Sequence, residues 1–269
     1  MPELPEVQTV LDTLEIRIKN CKIVDIKVLY KPIVDYNLNK FKKELINQHF
    51  RSFKRRGKYL LFEMDDITLV SHLRMEGKYF ILDDDVPISK HDHVIFYLDN
   101  GKQLRYNDVR KFGRMELIDK DDNYLNFKNL GPEPFSKYFN LEYCKDYLEK
   151  KRLPIKQVLL DQSFVAGIGN IYADEILFDI RVNPKKMANK LDDSNIKDLI
   201  ASTRKILRRA IKAGGTTIRS YTSSLGVTGR FQLELNVHTM NSCKVCGSDI
   251  KKIVVGGRGT YYCPKCQKQ

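Results

Sequence analysis

Leu130-Gly131-Pro132-Glu133-Pro134-Phe135 divides this sequence in two. Two prolines and a glycine within it cannot continue a helix or a central strand, so the stretch reads as a boundary, and the apolar periodicity changes across it. On its N-terminal side, from Lys22 to about Ile118, short alternating or apolar runs (VDIKVL, KYLLFEM, ITLVSHL, HVIFYL, QLRYN, RMELI) alternate with turn residues. Such runs predict strands. Asp99-Asn100-Gly101 reads as a hairpin turn, because Asn-Gly tolerates the positive φ that tight hairpins require. Several strands at this spacing point to an antiparallel sandwich. On the C-terminal side the period becomes helical. Leu141, Cys144 and Leu148 share one face, and Ile155, Val158 and Leu159 another. The clearest helix is expected from an N-cap at Ser194 through Ile196, Leu199, Ile200, Thr203, Leu207 and Ala210 to Gly214.

Ahead of the strands, Val7, Val10, Leu11, Leu14 and Ile18 fall on one helical face, with Pro5 suited to a first turn. The expected fold class is therefore α+β in two domains, a helix and antiparallel β-sandwich followed by a helical half. No internal repeat is evident. The acidic runs Asp83 to Asp85 and Asp119 to Asp122 read as solvated turns.

The chain has 269 residues, 42% of them hydrophobic, which is enough for a sizeable core. Lys and Arg number 47 against 34 Asp and Glu, a formal charge of +13 that favours a polyanionic partner. Nucleic acid is the leading candidate. No apolar run approaches the ~18 residues of a membrane span, and there is no juxtamembrane basic cluster. The first residues mix Pro, Glu, Asp and Arg with apolar ones, so no signal peptide is expected and the chain is placed in a reducing cytoplasm.

Six cysteines in such a compartment read as metal ligands or buried thiols. Cys21 and Cys144 stand alone, whereas Cys243 with Cys246 and Cys263 with Cys266 form two Cys-x-x-Cys knuckles separated by sixteen residues. That spacing predicts one structural zinc ion in a closed four-thiolate site. The segment between the knuckles reads as a β-hairpin whose tip, Gly256-Gly257-Arg258-Gly259, presents Arg258. The flanking glycines allow close backbone approach, and the net charge points to phosphate as the ligand.

Gly167-Ile168-Gly169-Asn170 precedes another helical pattern. A dinucleotide fingerprint would need a preceding strand and a third glycine in register, and both are missing. What remains is two helices joined by a glycine-rich turn, with Asn170 expected to cap the second helix and free amides suited to an anion or to an ordinary helix turn. His91 and His93 alternate on a strand without a third ligand, so no second metal is expected.

Five features occur together and in order: MPELPEV at 1–7, RRGKYL at 55–60, DVRKFGR at 108–114, GIGNIYADE at 167–175, and the terminal four-cysteine ribbon. The chain resembles the bacterial formamidopyrimidine-DNA glycosylase family over nearly its whole length. The resemblance implies an N-terminal catalytic β-sandwich (1–130), a linker (131–144), a helical domain with a helix-two-turns-helix module (145–235) and a zinc finger (236–269). It also implies a monomer that binds duplex DNA carrying oxidised purines or abasic sites between its two halves. The activity implied is that of a glycosylase and strand-nicking lyase.

The same resemblance assigns roles to residues. Pro2, once Met1 is removed, is the amine nucleophile, Glu3 the acid that protonates the sugar ring oxygen, and Glu6 a supporting group. A terminal α-amino group has a pKa of roughly 7.7 to 8.0 against roughly 10.4 for lysine, which makes it the readier nucleophile near neutrality. Lys58 matches a lysine contacting the damaged nucleotide and its phosphate, and Lys156 a position tied to base recognition. Met75, Arg110 and Phe112 match residues that fill the space left by an extruded base, although alone Met75 and Phe112 would read as core. Residues 214–231 resemble a loop that closes over the flipped purine. His238 stands where the family typically has tyrosine, which puts a phosphate contact there in question. Two other readings share most of these features: an endonuclease VIII-like glycosylase for oxidised pyrimidines, and a non-catalytic zinc-ribbon DNA-binding protein.

Overall fold

The structure is a computed structural model that describes residues 1–119, 127–216 and 229–268. The chain forms two compact units, one of residues 1–128 with 214–229 and the other of residues 129–213 with 230–269. Most of the expected closing loop, 217–228, and residues 120–122 of the second acidic run lie outside the described residues.

The first unit opens with helix α1 (Leu4–Ile18), started by a reciprocal capping box between Glu3 and Glu6 and by a proline in its first turn. Strands β1 (Ile23–Val28), β6 (Asp92–Leu98), β7 (Lys102–Asn107) and β5 (Lys78–Asp83) form one antiparallel sheet in the order β1-β6-β7-β5. Strands β2 (Ser52–Arg56), β3 (Tyr59–Glu63), β4 (Ile67–His72) and β8 (Arg114–Asp119) form the other, in the order β2-β3-β4-β8. The apolar face of α1 (Val7, Val10, Leu11, Leu14, Ile18) joins Phe96, Leu104, Leu60, Phe62 and Leu69 from both sheets in one buried core. The expected sandwich is present. Gly101, at φ +77°, makes the β6–β7 turn.

Three elements go beyond the sequence expectation. Helix α2 (Leu38–Leu45) is capped by Asn37, whose side chain accepts from the Lys40 amide at 3.0 Å. Strands β2 and β5 each lie at an edge of their sheet; β2 is polar and half-exposed, whereas β5 carries the apolar run YFIL at 79–82, which the sequence expectation did not include.

The second unit contains helices α3 (Leu141–Glu149), α4 (Ile155–Leu160), α5 (Asn170–Asp179) and α6 (Asp193–Lys212). Residues 130–139 are built into it: the Arg204 guanidinium on α6 donates to the carbonyls of Pro134, Ser136 and Phe139 at 3.0, 3.1 and 2.7 Å. The cap of α6 is a correction. Asp192, not Ser194, takes the position, because its carboxylate reaches the Asn195 amide at 2.7 Å while Ser194 already lies in the first turn.

Strands β9 (Lys251–Val255) and β10 (Arg258–Tyr262) pair as the ribbon hairpin, turning at Gly256 and Gly257 with φ of +55° and +74°. Two consecutive left-handed residues are what a two-residue hairpin turn needs, so the glycines are required here. The ribbon packs on α5 through Phe178, Val237, Cys243 and Cys263. No described helix is long and apolar enough to cross a membrane.

Candidate active site and nucleic-acid interface

Pro2 is buried at the N-terminal end of α1, with Met1 half exposed ahead of it. Glu3 has extended backbone and is 3% exposed, and its amide donates to Glu6 Oε2 at 2.9 Å. The other Glu6 oxygen accepts from the amide and the hydroxyl of Thr216, at 2.8 and 3.0 Å. Gly215 lies against the same carboxylate: with φ +75°, a side chain there would come within 3.0 Å of Glu6 Cγ. Glu6 therefore ties the chain around 215–216 to the helix end that carries Pro2 and Glu3.

Lys58 is the second residue of the two-residue β2–β3 turn, whose first, Gly57, has φ +56°. It is 7% exposed and lies close enough to His72 for its charge to act on that imidazole. Burial, reinforced by the Arg74 and Lys58 charges, pushes His72 down to about 3, so it is neutral near pH 7. The neutral Nδ1 accepts from the Arg74 amide at 2.9 Å.

Met75, Arg110 and Phe112 stand on the two turns that pass from one sheet to the other, β4 to β5 and β7 to β8. Met75 is 38% and Phe112 47% exposed, the reverse of a core assignment. The Arg110 guanidinium lies 4.7 Å from the Phe112 ring centroid. Fully buried Asp108 shapes this turn: its carboxylate accepts from the amides of Arg110, Phe112 and Gly113, each at 2.9 Å. Lys111, at φ +58°, lets the chain fold round it.

In the second unit Asn170 is the first residue of α5 and does not cap it, correcting the sequence expectation. Gly169 occupies the cap, and the Asn170 side chain donates to the Gly259 carbonyl at 2.8 Å. This bond fixes the ribbon turn beside the helix start, where Arg258 is exposed on the first residue of β10. Lys156 is fully buried. Its ammonium pairs with Asp174 and reaches the Asn170 carbonyl at 3.4 Å.

Asp174 also accepts from His238 Nδ1 at 2.7 Å and from the Tyr261 amide at 3.2 Å. Its neighbour Glu175 accepts from the amides of Asn236, Val237 and His238 at 2.8 to 2.9 Å. Two acids within the buried run 171–178 of α5 thus dock both the ribbon and the segment before it. Sequence reasoning missed them, along with Asp108 and Thr216. The signal available was a pair of adjacent carboxylates inside an apolar helix, which must be partnered when buried.

The four cysteines converge. Their sulfurs all lie within 4.8 Å of one another, with Cys243 to Cys266 at 3.8 Å and Cys246 to Cys263 at 3.5 Å. Tetrahedral Zn–S bonds of about 2.3 Å require sulfurs about 3.8 Å apart, so the donor set fits a closed structural zinc site.

The description "Formamidopyrimidine-DNA glycosylase N-terminal domain" belongs to the family model that matches residues 1–115. The H2TH domain of the same enzymes matches residues 130–222, and a zinc finger found in FPG and IleRS matches 242–269. The chain belongs to the formamidopyrimidine-DNA glycosylase family.

Two relatives bearing that enzyme name illustrate the match. One from Oceanobacillus iheyensis is 47% identical over 273 residues, covering 99% of this chain and 98% of the relative. Another from Streptococcus mutans is 48% identical over 273 residues, covering 100% of both. Among solved structures, the Lactococcus lactis enzyme in complex with abasic-site DNA superposes with a TM-score of 0.94 at 46% identity, over 99% of this chain and 100% of that one. A complex of the wild-type Lactococcus lactis enzyme with DNA containing an N7-benzyl-Fapy-dG gives 0.93 at 46% identity over 100% of both.

Proposed function

We propose that the protein is a bifunctional DNA glycosylase and abasic-site lyase of base excision repair. It excises oxidised purines, 8-oxoguanine and formamidopyrimidines, from duplex DNA and cleaves the strand by β,δ-elimination. The observation that carries this reading is the end-to-end family match at 46% identity to an enzyme solved on abasic-site and Fapy-dG DNA. The burial of Pro2 and Glu3 together at the start of α1 supports it. The reading places the chain in the cytoplasm as a monomer, where reduced thiols are available to hold zinc.

Removal of Met1 leaves Pro2 as a secondary amine. Its nitrogen bonds to the sugar C1′ as the glycosidic bond breaks and the base departs, and Glu3 protonates the ring oxygen as the ring opens. The resulting iminium withdraws electrons from C2′, which loses a proton as the 3′ phosphate leaves. A second elimination releases the 5′ phosphate. Glu6 holds the helix end and the chain at 216 in register.

Lys58 binds the phosphate of the damaged nucleotide, and Met75, Arg110 and Phe112 occupy the space the base vacates. Asn170 and Arg258 bind backbone phosphate at a helix start and a glycine turn. Lys156 acts from within, by fixing Asn170 and Asp174. The zinc ion is structural: held by Cys243, Cys246, Cys263 and Cys266, it replaces a core for the ribbon.

Borohydride reduction in the presence of a duplex carrying 8-oxoguanine opposite cytosine is expected to trap the processed chain covalently. A Pro2→Gly chain should trap through its new terminus, and a chain retaining Met1 should not trap at all. Absence of any trapped product would leave only a DNA-binding protein. Faster excision of thymine glycol opposite adenine would instead assign the pyrimidine-directed activity.

A further inference from the structure

Tyr106 touches both of the turns that carry the void-filling residues. It lies on β7, fully buried, with its ring 5.2 Å from that of Tyr79. Its hydroxyl sits against Gly77, which closes the Met75 turn, and against Gly113, which closes the turn of Arg110 and Phe112. A methyl group on Gly113 would overlap that hydroxyl and lie 2.6 Å from Tyr106 Cζ. One on Gly77 would overlap it too, at 2.9 Å from Cζ and 2.7 Å from the Leu73 carbonyl.

Neither glycine has the left-handed backbone that would itself require glycine. Both are small because the phenol occupies the space. The hydroxyl also donates to Asp108 Oδ2 at 3.3 Å, the oxygen that accepts from the Phe112 and Gly113 amides. Burial, with the Asp108 charge beside it, pushes the phenol far above its ordinary range, so it remains a donor.

We propose that Tyr106 is a positioning residue for base extrusion, a strut that holds the Met75 turn and the Arg110–Phe112 turn at fixed heights so that the three side chains enter the duplex together. It touches no substrate and acts through those turns. The proposal rests on the functional reading above. Extruding a stacked, paired base costs a few kcal/mol, whereas an abasic site has no base to extrude, so the two substrates separate this role from a general loss of fold.

The test compares single-turnover excision of 8-oxoguanine with nicking of a preformed abasic site. Tyr106→Phe keeps the ring and removes the hydroxyl. It is expected to slow excision by roughly tenfold, since small misplacements of contacting groups are felt strongly in rate. Nicking should change by less than about twofold, because extrusion is not needed there.

Gly113→Ala should produce the same asymmetry by displacing the phenol. In a Tyr106→Ala background, which removes every atom nearest that methyl, Gly113→Ala should add nothing further. Equal losses on both substrates, additive losses in the double variant, or a Tyr106→Phe chain as fast as the parent would each overturn the proposal alone. A parent chain inert on both substrates would overturn the functional reading and the proposal with it.

Discussion

Glu6 accepts a hydrogen bond from the backbone amide of Thr216 at 2.8 Å, a contact that spans 210 residues of sequence. Glu6 is 3% and Thr216 4% exposed, so this amide has no ready access to water. Glu6→Ala would strand it, at a cost of about 1–3 kcal/mol for an unsatisfied buried donor. Glu6→Gln keeps an acceptor and should lose much less. Denaturant midpoints measure the difference, and faster hydrogen exchange at the Thr216 amide should accompany the alanine variant. Equal midpoints for Ala and Gln would contradict this account.

Lys156 and Asp174 are both fully buried, and the pair anchors a network that reaches His238 and the ribbon. Removing one partner of such a pair leaves an uncompensated charge and costs roughly 3–5 kcal/mol. Lys156→Met is therefore expected to destabilise the second unit by about that amount, with duplex affinity falling in step. A Lys156→Met chain that keeps the parent's denaturant midpoint and loses only lesion preference would show that the lysine meets the base directly.

The parts of this fold that were legible in the sequence are those written in spacing. The knuckles of the ribbon, the 3.6-residue period of α1 and α6, and the apolar central strands follow from local pattern. Edge strand β2 escaped because a half-exposed strand has no reason to be apolar, whereas β5, with its apolar run at 79–82, was legible and passed over. Both misjudged caps have one cause: a cap is decided by backbone geometry, and Asp192 beside Ser194, or Gly169 beside Asn170, cannot be separated by residue type alone.

Burial of charge is the deeper limit. Lys156, Asp174, Glu175 and Asp108 read as surface residues until their partners, which are distant in sequence for all but Asp108, are known. Met75 and Phe112 failed in the opposite direction. Their apolar side chains are exposed, and under the proposed function their use is intermolecular, which a rule of apolar burial cannot see.

Zinc removal gives a third expectation. The described ribbon buries little besides Cys243, Cys263, Val255, Thr260 and Gln267, so the metal stands in for a core. Chelation, or Cys263→Ser, is expected to release one zinc ion per chain and abolish tight duplex binding, because Arg258 and the Asn170–Gly259 bond lose their frame. The first unit should remain folded by near-ultraviolet dichroism. Tight, salt-resistant DNA binding by the metal-free chain would refute this role for the ribbon.

His72 sets a pH dependence whose sign follows from its environment. Burial, then Arg74 and Lys58, holds its folded-state pKa at about 3 against an ordinary value of 6.5. The unfolded chain therefore takes up a proton at His72 before the folded chain does, and stability is lost as pH falls from about 6.5 toward 3. His72→Gln removes the titrating group while offering the Arg74 amide an acceptor. Its melting temperature should lie below that of the parent at pH 7.5, and the gap should narrow or reverse by pH 5. A constant gap across that range would mean that the His72 proton is not linked to folding, and that the Lys58 and Arg74 charges do not act on a buried imidazole.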